Sequence, residues 1–240
     1  MAKISTGSLE LDKFLEGGYE SDVITTLYGP AGSGKTNFCL MAAVSVAKSG
    51  KKVVFIDTEG GFSVDRLKQL TNESVLNNIL LLKATSFAEQ QEIFNKLLDE
   101  VNERLGLIIV DSIVMLYRLE MGLAREKESE KKIVGINRSM ARQLRILSEI
   151  SRKKGIPVII TDQVYSDFVK KDEDNPAEKQ VHMVGGDLLK YWSKCIIELK
   201  RFGDKKKAVL RKHRSLPEKQ FIFYITGSGL EKARQGFRLF

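Results

Sequence analysis

The chain has 240 residues, 42% of them hydrophobic, enough for one substantial core. Its net charge of +8 is unevenly spread: residues 200–240 hold twelve Lys/Arg against three acids, and everything before them is close to neutral. The two cysteines lie in apolar segments and there are two histidines, which argues against a disulfide scaffold or a zinc cluster. No apolar run approaches the length of a membrane span, and the start, Met-Ala-Lys-Ile-Ser, lacks the core of a signal peptide. A cytoplasmic protein is expected.

Thr6-Gly7-Ser8 opens a short amphipathic helix carrying Leu9, Leu11, Phe14 and Leu15 and stopped at Gly17-Gly18. Val23 to Tyr28 reads as a buried strand, and Asn37 to Val44 as a helix closing at Ser49-Gly50. Between them stands Gly29-Pro30-Ala31-Gly32-Ser33-Gly34-Lys35-Thr36, a complete Gly-x4-Gly-Lys-Thr phosphate loop. At average residue usage its fixed positions match by chance in roughly one such chain in a hundred, and the strand before and helix after narrow that further. Glycines let successive N–H groups turn towards a phosphate, and the helix start adds partial positive charge. Lys35 reaches the terminal phosphates, and the Thr36 hydroxyl suits Mg²⁺. A nucleoside triphosphate with Mg²⁺ is therefore expected on the residues from Gly29 to Asn37.

Lys52–Asp57 is a second buried strand, followed by Thr58-Glu59-Gly60-Gly61-Phe62 and a short helix near Val64–Leu70. Ile79–Leu82 is a third strand. Ser86-Phe-Ala-Glu89 is a capping box opening a helix with Phe87, Phe94, Leu98, Val101 and Leu105 at helical spacing. Leu107–Val110 is an apolar strand ending at Asp111, and Arg118 to Lys132 is a charged stretch. A long helix then buries Ile133, Ile136, Met140, Leu144, Leu147 and Ile150. After the strand Val158–Thr161, the segment Tyr165–Val184 is polar and without period, which predicts a mobile loop. Cys195–Lys200, Lys207–Arg211 and Gln220–Ile225 alternate like antiparallel strands. The pattern predicts an α/β fold: a mainly parallel sheet flanked by helices, with antiparallel C-terminal edge strands, in one domain over 1–240.

Ligands of open α/β sheets sit beyond the carboxyl ends of the strands. Asp111 is placed there to hold Mg²⁺ with Thr36. Glu59 can polarise the water attacking the γ-phosphorus, and Gln163 can sense the γ-phosphate and pass its presence to the loop that follows.

The phosphate loop, Asp57-Thr-Glu59-Gly, Leu107-Ile-Ile-Val-Asp111-Ser112, Thr161-Asp-Gln163-Val and Gly185-Gly186 stand in the order and spacing of the RecA/RadA recombinase core, and the chain resembles that family from Thr6 to Ile225. The resemblance implies a RecA-like P-loop ATPase with ATP and Mg²⁺ as cofactors. It also implies Glu59 as catalytic base, Thr36 and Asp111 on Mg²⁺, and Gln163 as the switch between nucleotide and DNA loops. Three features depart from the family. Only five residues precede Thr6, so no N-terminal DNA-binding domain is expected; no Phe-x-x-Ala polymerisation segment occurs; and Asp162 stands where the family usually has Asn. The region matching the second DNA loop holds Asp167, Asp172, Glu173, Asp174 and Glu178 against Lys170, Lys171 and Lys179, a poor tracker of a phosphate backbone.

DNA is instead expected on Lys205, Lys206, Lys207, Arg211, Lys212, His213 and Arg214, which flank one short strand and so could share an edge of the domain; Arg118, Arg125 and Lys127 are diluted by neighbouring acids. The expected function is a recombination and repair accessory that binds ATP and non-specific DNA, hydrolyses slowly and assists the main archaeal recombinase. A homodimer or weak self-assembly is compatible with it. The alternatives are an active strand-exchange recombinase and a regulatory RecA-like signalling ATPase.

Overall fold

The computed structural model describes residues 2–166 and 181–233. The chain enters through β1 (Lys3–Ile4), α1 (Leu9–Phe14) and β2 (Tyr19–Glu20), with β1 and β2 paired antiparallel. Strand and helix then alternate through β3 (Ile24–Tyr28), α2 (Lys35–Lys48), β4 (Lys52–Asp57), α3 (Val64–Leu70), α4 (Glu73–Leu76), β5 (Ile79–Lys83), α5 (Phe87–Glu100) and β6 (Leu105–Asp111). Two helices, α6 (Met115–Glu126) and α7 (Glu130–Lys154), precede β7 (Val158–Asp162). β8 (Val164–Ser166) and β9 (Val181–Met183) pair with each other, and α8 (Gly186–Trp192) leads into β10 (Ser193–Phe202), β11 (Lys205–Lys212), β12 (Lys219–Thr226) and β13 (Gly229–Lys232).

Nine strands form one sheet in the order β13-β12-β11-β10-β3-β7-β6-β4-β5. From β10 to β5 every pairing is parallel, and from β10 to β13 every pairing is antiparallel. This is the expected fold class. The central strands read as unbroken apolar runs because both faces are covered. Phe55, Leu107, Ile109 and Ile197 point into a core with Phe38 of α2. Their neighbours Val54, Ile56, Ile108, Val110 and Ile196 point into a second core with Leu144 and Leu147 of α7.

Some local expectations are extended and others corrected. The charged stretch from Arg118 to Lys132 is mostly helical, because Leu116, Met121 and Ala124 give α6 a buried face that packs with Phe87 and Ile136. In α5 the buried face is Phe87, Gln90, Phe94 and Leu97, and Leu98 is 43% exposed. The amide of Gln90 is buried because it donates to Gln143 Oε1 and to the Ile113 carbonyl. Leu105 belongs to β6, and the helix has ended at Glu100. The capping box also differs in detail: Ser86 Oγ accepts from the Glu89 amide, but Glu89 reaches back to the amide and hydroxyl of Thr85. The two ends of the predicted loop Tyr165–Val184 pair as β8 and β9, and its acidic run lies outside the described residues.

The two α5 positions give a direct check. Leu97→Ala should cost about 2–5 kcal/mol in urea unfolding, and Leu98→Ala less than about 1 kcal/mol. Equal costs would contradict the assigned face.

Candidate functional site

Because β3, β7, β6 and β4 are adjacent and parallel, their carboxyl ends open on one side of the sheet, and each carries a polar group there. The phosphate loop follows β3. Gly29 lies so close to β10 that a Cβ there would stand 2.1 Å from the Leu199 carbonyl oxygen, so only glycine fits. The loop turns into α2, whose first residue, Lys35, donates through Nζ to the Gly29 (2.8 Å) and Pro30 (3.2 Å) carbonyls. Ser33 Oγ is buried in the loop wall without a hydrogen-bond partner among the described residues.

Asp111 joins the loop to its neighbours. Its Oδ2 accepts from Thr36 Oγ1 at 2.7 Å, and its Oδ1 accepts from Thr161 Oγ1 of β7 at 2.5 Å. Gly61 lies against this pair: a Cβ there would be 3.4 Å from Thr36 Oγ1 and 3.9 Å from Asp111 Oδ2. The absence of a side chain leaves room beside two hard oxygen donors, which is the chemistry a magnesium ion requires.

Glu59 is aimed by Asp57, a role that no pattern in the sequence marks. The Asp57 carboxylate accepts from the amides of Glu59, Gly60 and Gly61 through Oδ1, and from that of Phe62 through Oδ2. It thereby ties the whole turn to the end of β4. From that turn Glu59 Oε1 accepts from Gln163 Nε2 at 2.9 Å, linking β4 to the residue just before β8. Desolvation and the nearby Asp111 carboxylate raise the pKa of Glu59, opposed by Gln163 and Lys35. Desolvation also lowers that of Lys35 and raises that of Asp111.

Thr36, Lys35, Glu59 and Gln163 line one cleft of about 360 Å³, and Lys206 and Ile225 close its far wall. Lys206 Nζ donates to the Gly32 carbonyl at 2.7 Å, and Arg201 donates to the Ala31 carbonyl at 2.6 Å. The register explains both contacts. Glu198 of β10 pairs with Tyr28 at the end of β3, so the residues that follow pass over the loop. Asn37 accepts from Arg66, which also donates to Gly227 and Thr226 and so fastens α3 and the β12–β13 turn to the start of α2. No sequence motif marks Arg66 or Arg201.

The basic residues expected to share an edge do not do so. β11 is hydrogen-bonded on both sides, by β10 and β12. Lys205, Lys206 and Lys207 lie at its phosphate-loop end, with Lys205 over the Tyr224 ring and Lys207 over the Phe202 ring. Arg211 to Arg214 lie at the other end. There Arg211 pairs with Glu198 and Glu218, Arg214 pairs with Glu20 and Asp22, and Lys212 Nζ donates to the Lys190 carbonyl. The His213 ring is almost wholly buried, and Nδ1 accepts from the Ser215 and Leu216 amides, so it holds the turn after β11. Burial lowers its pKa below the ordinary imidazole value, against the opposing pull of the Glu20 carboxylate.

The chain is similar to known proteins over nearly its whole length. The Rad51 family model matches residues 1–233. A protein of Methanobrevibacter smithii named "DNA repair and recombination protein RadB" is 40% identical over 237 residues, covering 95% of each chain. Its namesake in Methanocaldococcus jannaschii is 37% identical over 224 residues, 92% of this chain and 98% of that protein. The crystal structure of the RadB recombinase superposes with a TM-score of 0.76 at 34% identity, covering 96% of this chain and all of the other. Among the described residues no helix is long and apolar enough to cross a membrane.

Asp162, next to Gln163, yields a pH prediction. Burial raises its pKa to about 7; one oxygen accepts from the Gly185 amide and the other has no partner among the described residues. A carboxyl whose pKa is higher folded than unfolded stabilises the fold in its protonated form. That contribution is complete below about pH 4 and is lost as pH rises through about 7. Asp162→Asn should therefore become progressively more stable than wild type between pH 4 and pH 8 in thermal melts. A constant difference would contradict the shift.

Proposed function

Since this chain belongs to the Rad51 family, we propose that it is a DNA repair and recombination protein built on a single RecA-like ATPase core, acting with ATP and Mg²⁺ as an accessory to the main archaeal recombinase. The observation that carries the nucleotide part is the Thr36–Asp111 hydrogen bond of 2.7 Å, which sets the phosphate loop beside a strand-tip carboxylate. Loop amides and Lys35 would take the β- and γ-phosphates, with Lys35 exchanging its two carbonyl partners for phosphate oxygens. The unpaired Ser33 hydroxyl is a further donor in the same wall. Thr36 and Asp111 would hold magnesium, which when bound neutralises charge on the phosphate oxygens.

Glu59 would accept the proton of the attacking water. Its raised pKa suits a base, but it stands at the exposed rim of the cleft. A base that the cleft shields only in part is incompletely preorganised, which favours slow turnover. Gln163, bonded to that base and next to β8, would report the γ-phosphate to the segment beyond. Lys206 belongs with the nucleotide in this reading, because it lines the cleft. DNA is assigned to the other end of β11, around Lys212, with contacts to the phosphate backbone and not to bases. There His213 shapes the turn and Arg214 fastens it to β2.

Lys35→Ala should abolish ATP binding by calorimetry, and Glu59→Gln should bind ATP normally yet lose turnover; hydrolysis at the wild-type rate by Glu59→Gln would refute the base. For DNA, log affinity should fall linearly with log salt by about 0.7 per contacted phosphate on single strands. Lys212→Ala should lower that slope by about 0.7, and an unchanged slope would move the DNA elsewhere.

A further inference from the structure

Where α8 ends, the last turn of α7, the start of β10 and the turn after β11 enclose a cleft of about 410 Å³ whose walls include Arg152, Tyr191, Trp192, Lys194 and Arg214. Its most prominent feature is Tyr191, which is 72% exposed at the C-terminal end of a helix. The ring stands edge-on to Trp192, with centroids 5.5 Å apart. Trp192 in turn packs on the second core and so anchors the pair. Lys194 Nζ lies 5.9 Å from the Tyr191 centroid and donates to the Tyr191 carbonyl.

The charge here is one-sided. Asp22, the acid of the cleft, is taken by two hydrogen bonds from Arg214. Lys194 and Lys212 form no ion pair among the described residues, and burial together with the nearby Lys194 cation disfavours the charge on Lys212. Lys212 also reaches the Lys190 carbonyl, which brings the basic end of β11 to the same helix end. A solvent-facing aromatic ring beside unbalanced cations matches the chemistry of an unpaired nucleic-acid strand, whose bases stack and whose phosphates need counter-charge. A duplex hides its base faces and has no use for the ring.

Resting on the assignment of DNA to this end of the sheet, we propose that the cleft is a single-strand subsite in which a base stacks on Tyr191 while the flanking phosphates pass Lys194, Arg152 and Lys212. The subsite gives the protein a preference for single-stranded over duplex DNA. It is not legible in the sequence, because Tyr191-Trp192 and Lys212 are far apart along the chain and are joined by the pairing of β10 with β11 and by the Lys212–Lys190 hydrogen bond.

The test measures binding of a labelled oligothymidylate of about 20 nucleotides, longer than one such site, and of a duplex of the same length. Tyr191→Ala should weaken single-strand binding roughly 5- to 100-fold, and Tyr191→Phe should restore it. Neither change should alter duplex affinity or the salt slope, because neither removes a charge. Single strands should also quench the fluorescence of Trp192, the chain's one tryptophan. Single-strand affinity indifferent to Tyr191→Ala, or equal losses on both DNAs, would overturn the subsite and leave the DNA assignment standing. No wild-type binding to either DNA would overturn both. If Tyr191→Ala spared the oligonucleotide but broke association with the main recombinase, the cleft would be a protein dock and the subsite would fall.

Discussion

The site depends on the Asp111 carboxylate, which uses both of its oxygens to tie three elements together. One oxygen holds the Thr36 hydroxyl at the start of α2, and the other holds the Thr161 hydroxyl of β7. Beside it, Thr58 Oγ1 donates to the Ser112 carbonyl and accepts from the Ser112 amide, which locks the tip of β4 to that of β6. The strand order makes this possible, because β3, β7, β6 and β4 lie side by side and parallel. A buried carboxylate is costly unless its lone pairs are used, and here they are used to fix the distance between a phosphate loop and the strand tips around it.

The same economy recurs one strand away. Asp57 spends its carboxylate on four successive backbone amides, so Glu59 leaves the sheet from a rigid turn. Across the loop, β10 carries Arg201, and β11 carries Lys206, against the loop carbonyls. Two cations from the antiparallel part of the sheet thus cover a loop built on the parallel part. The cleft is therefore assembled from both halves of the chain, and its chemistry is not confined to the phosphate-loop motif.

How much of this was legible follows from how each signal is written. The central strands are apolar on both faces, so Val53–Ile56 and Leu107–Val110 announce themselves, and the phosphate loop is contiguous. Asp111, Glu59 and Gln163 stand at or just beyond strand tips, and the apolar runs before them make those tips legible. The buried face of α5 was misread because Gln90 occupies a core position, leaving Leu98, an apolar residue four beyond Phe94, to look like the next contact. α6 was hidden by its charges, since few of its residues face inward. The basic run from Lys205 to Arg214 looked like one patch, but Lys206 and Lys212 are separated by about 20 Å of extended strand. They serve opposite ends of the sheet. Asp57, Arg66 and Arg201 act through backbone groups or distant partners, which leaves no local pattern to find.

The most direct measurement is ATP binding by calorimetry, with and without magnesium, on the wild-type protein and on Asp111→Asn. If Asp111 holds the metal beside Thr36, magnesium tightens ATP binding to the wild type, and Asp111→Asn loses that increment while still binding magnesium-free ATP through the loop and Lys35. An identical magnesium dependence in the two proteins would contradict the account.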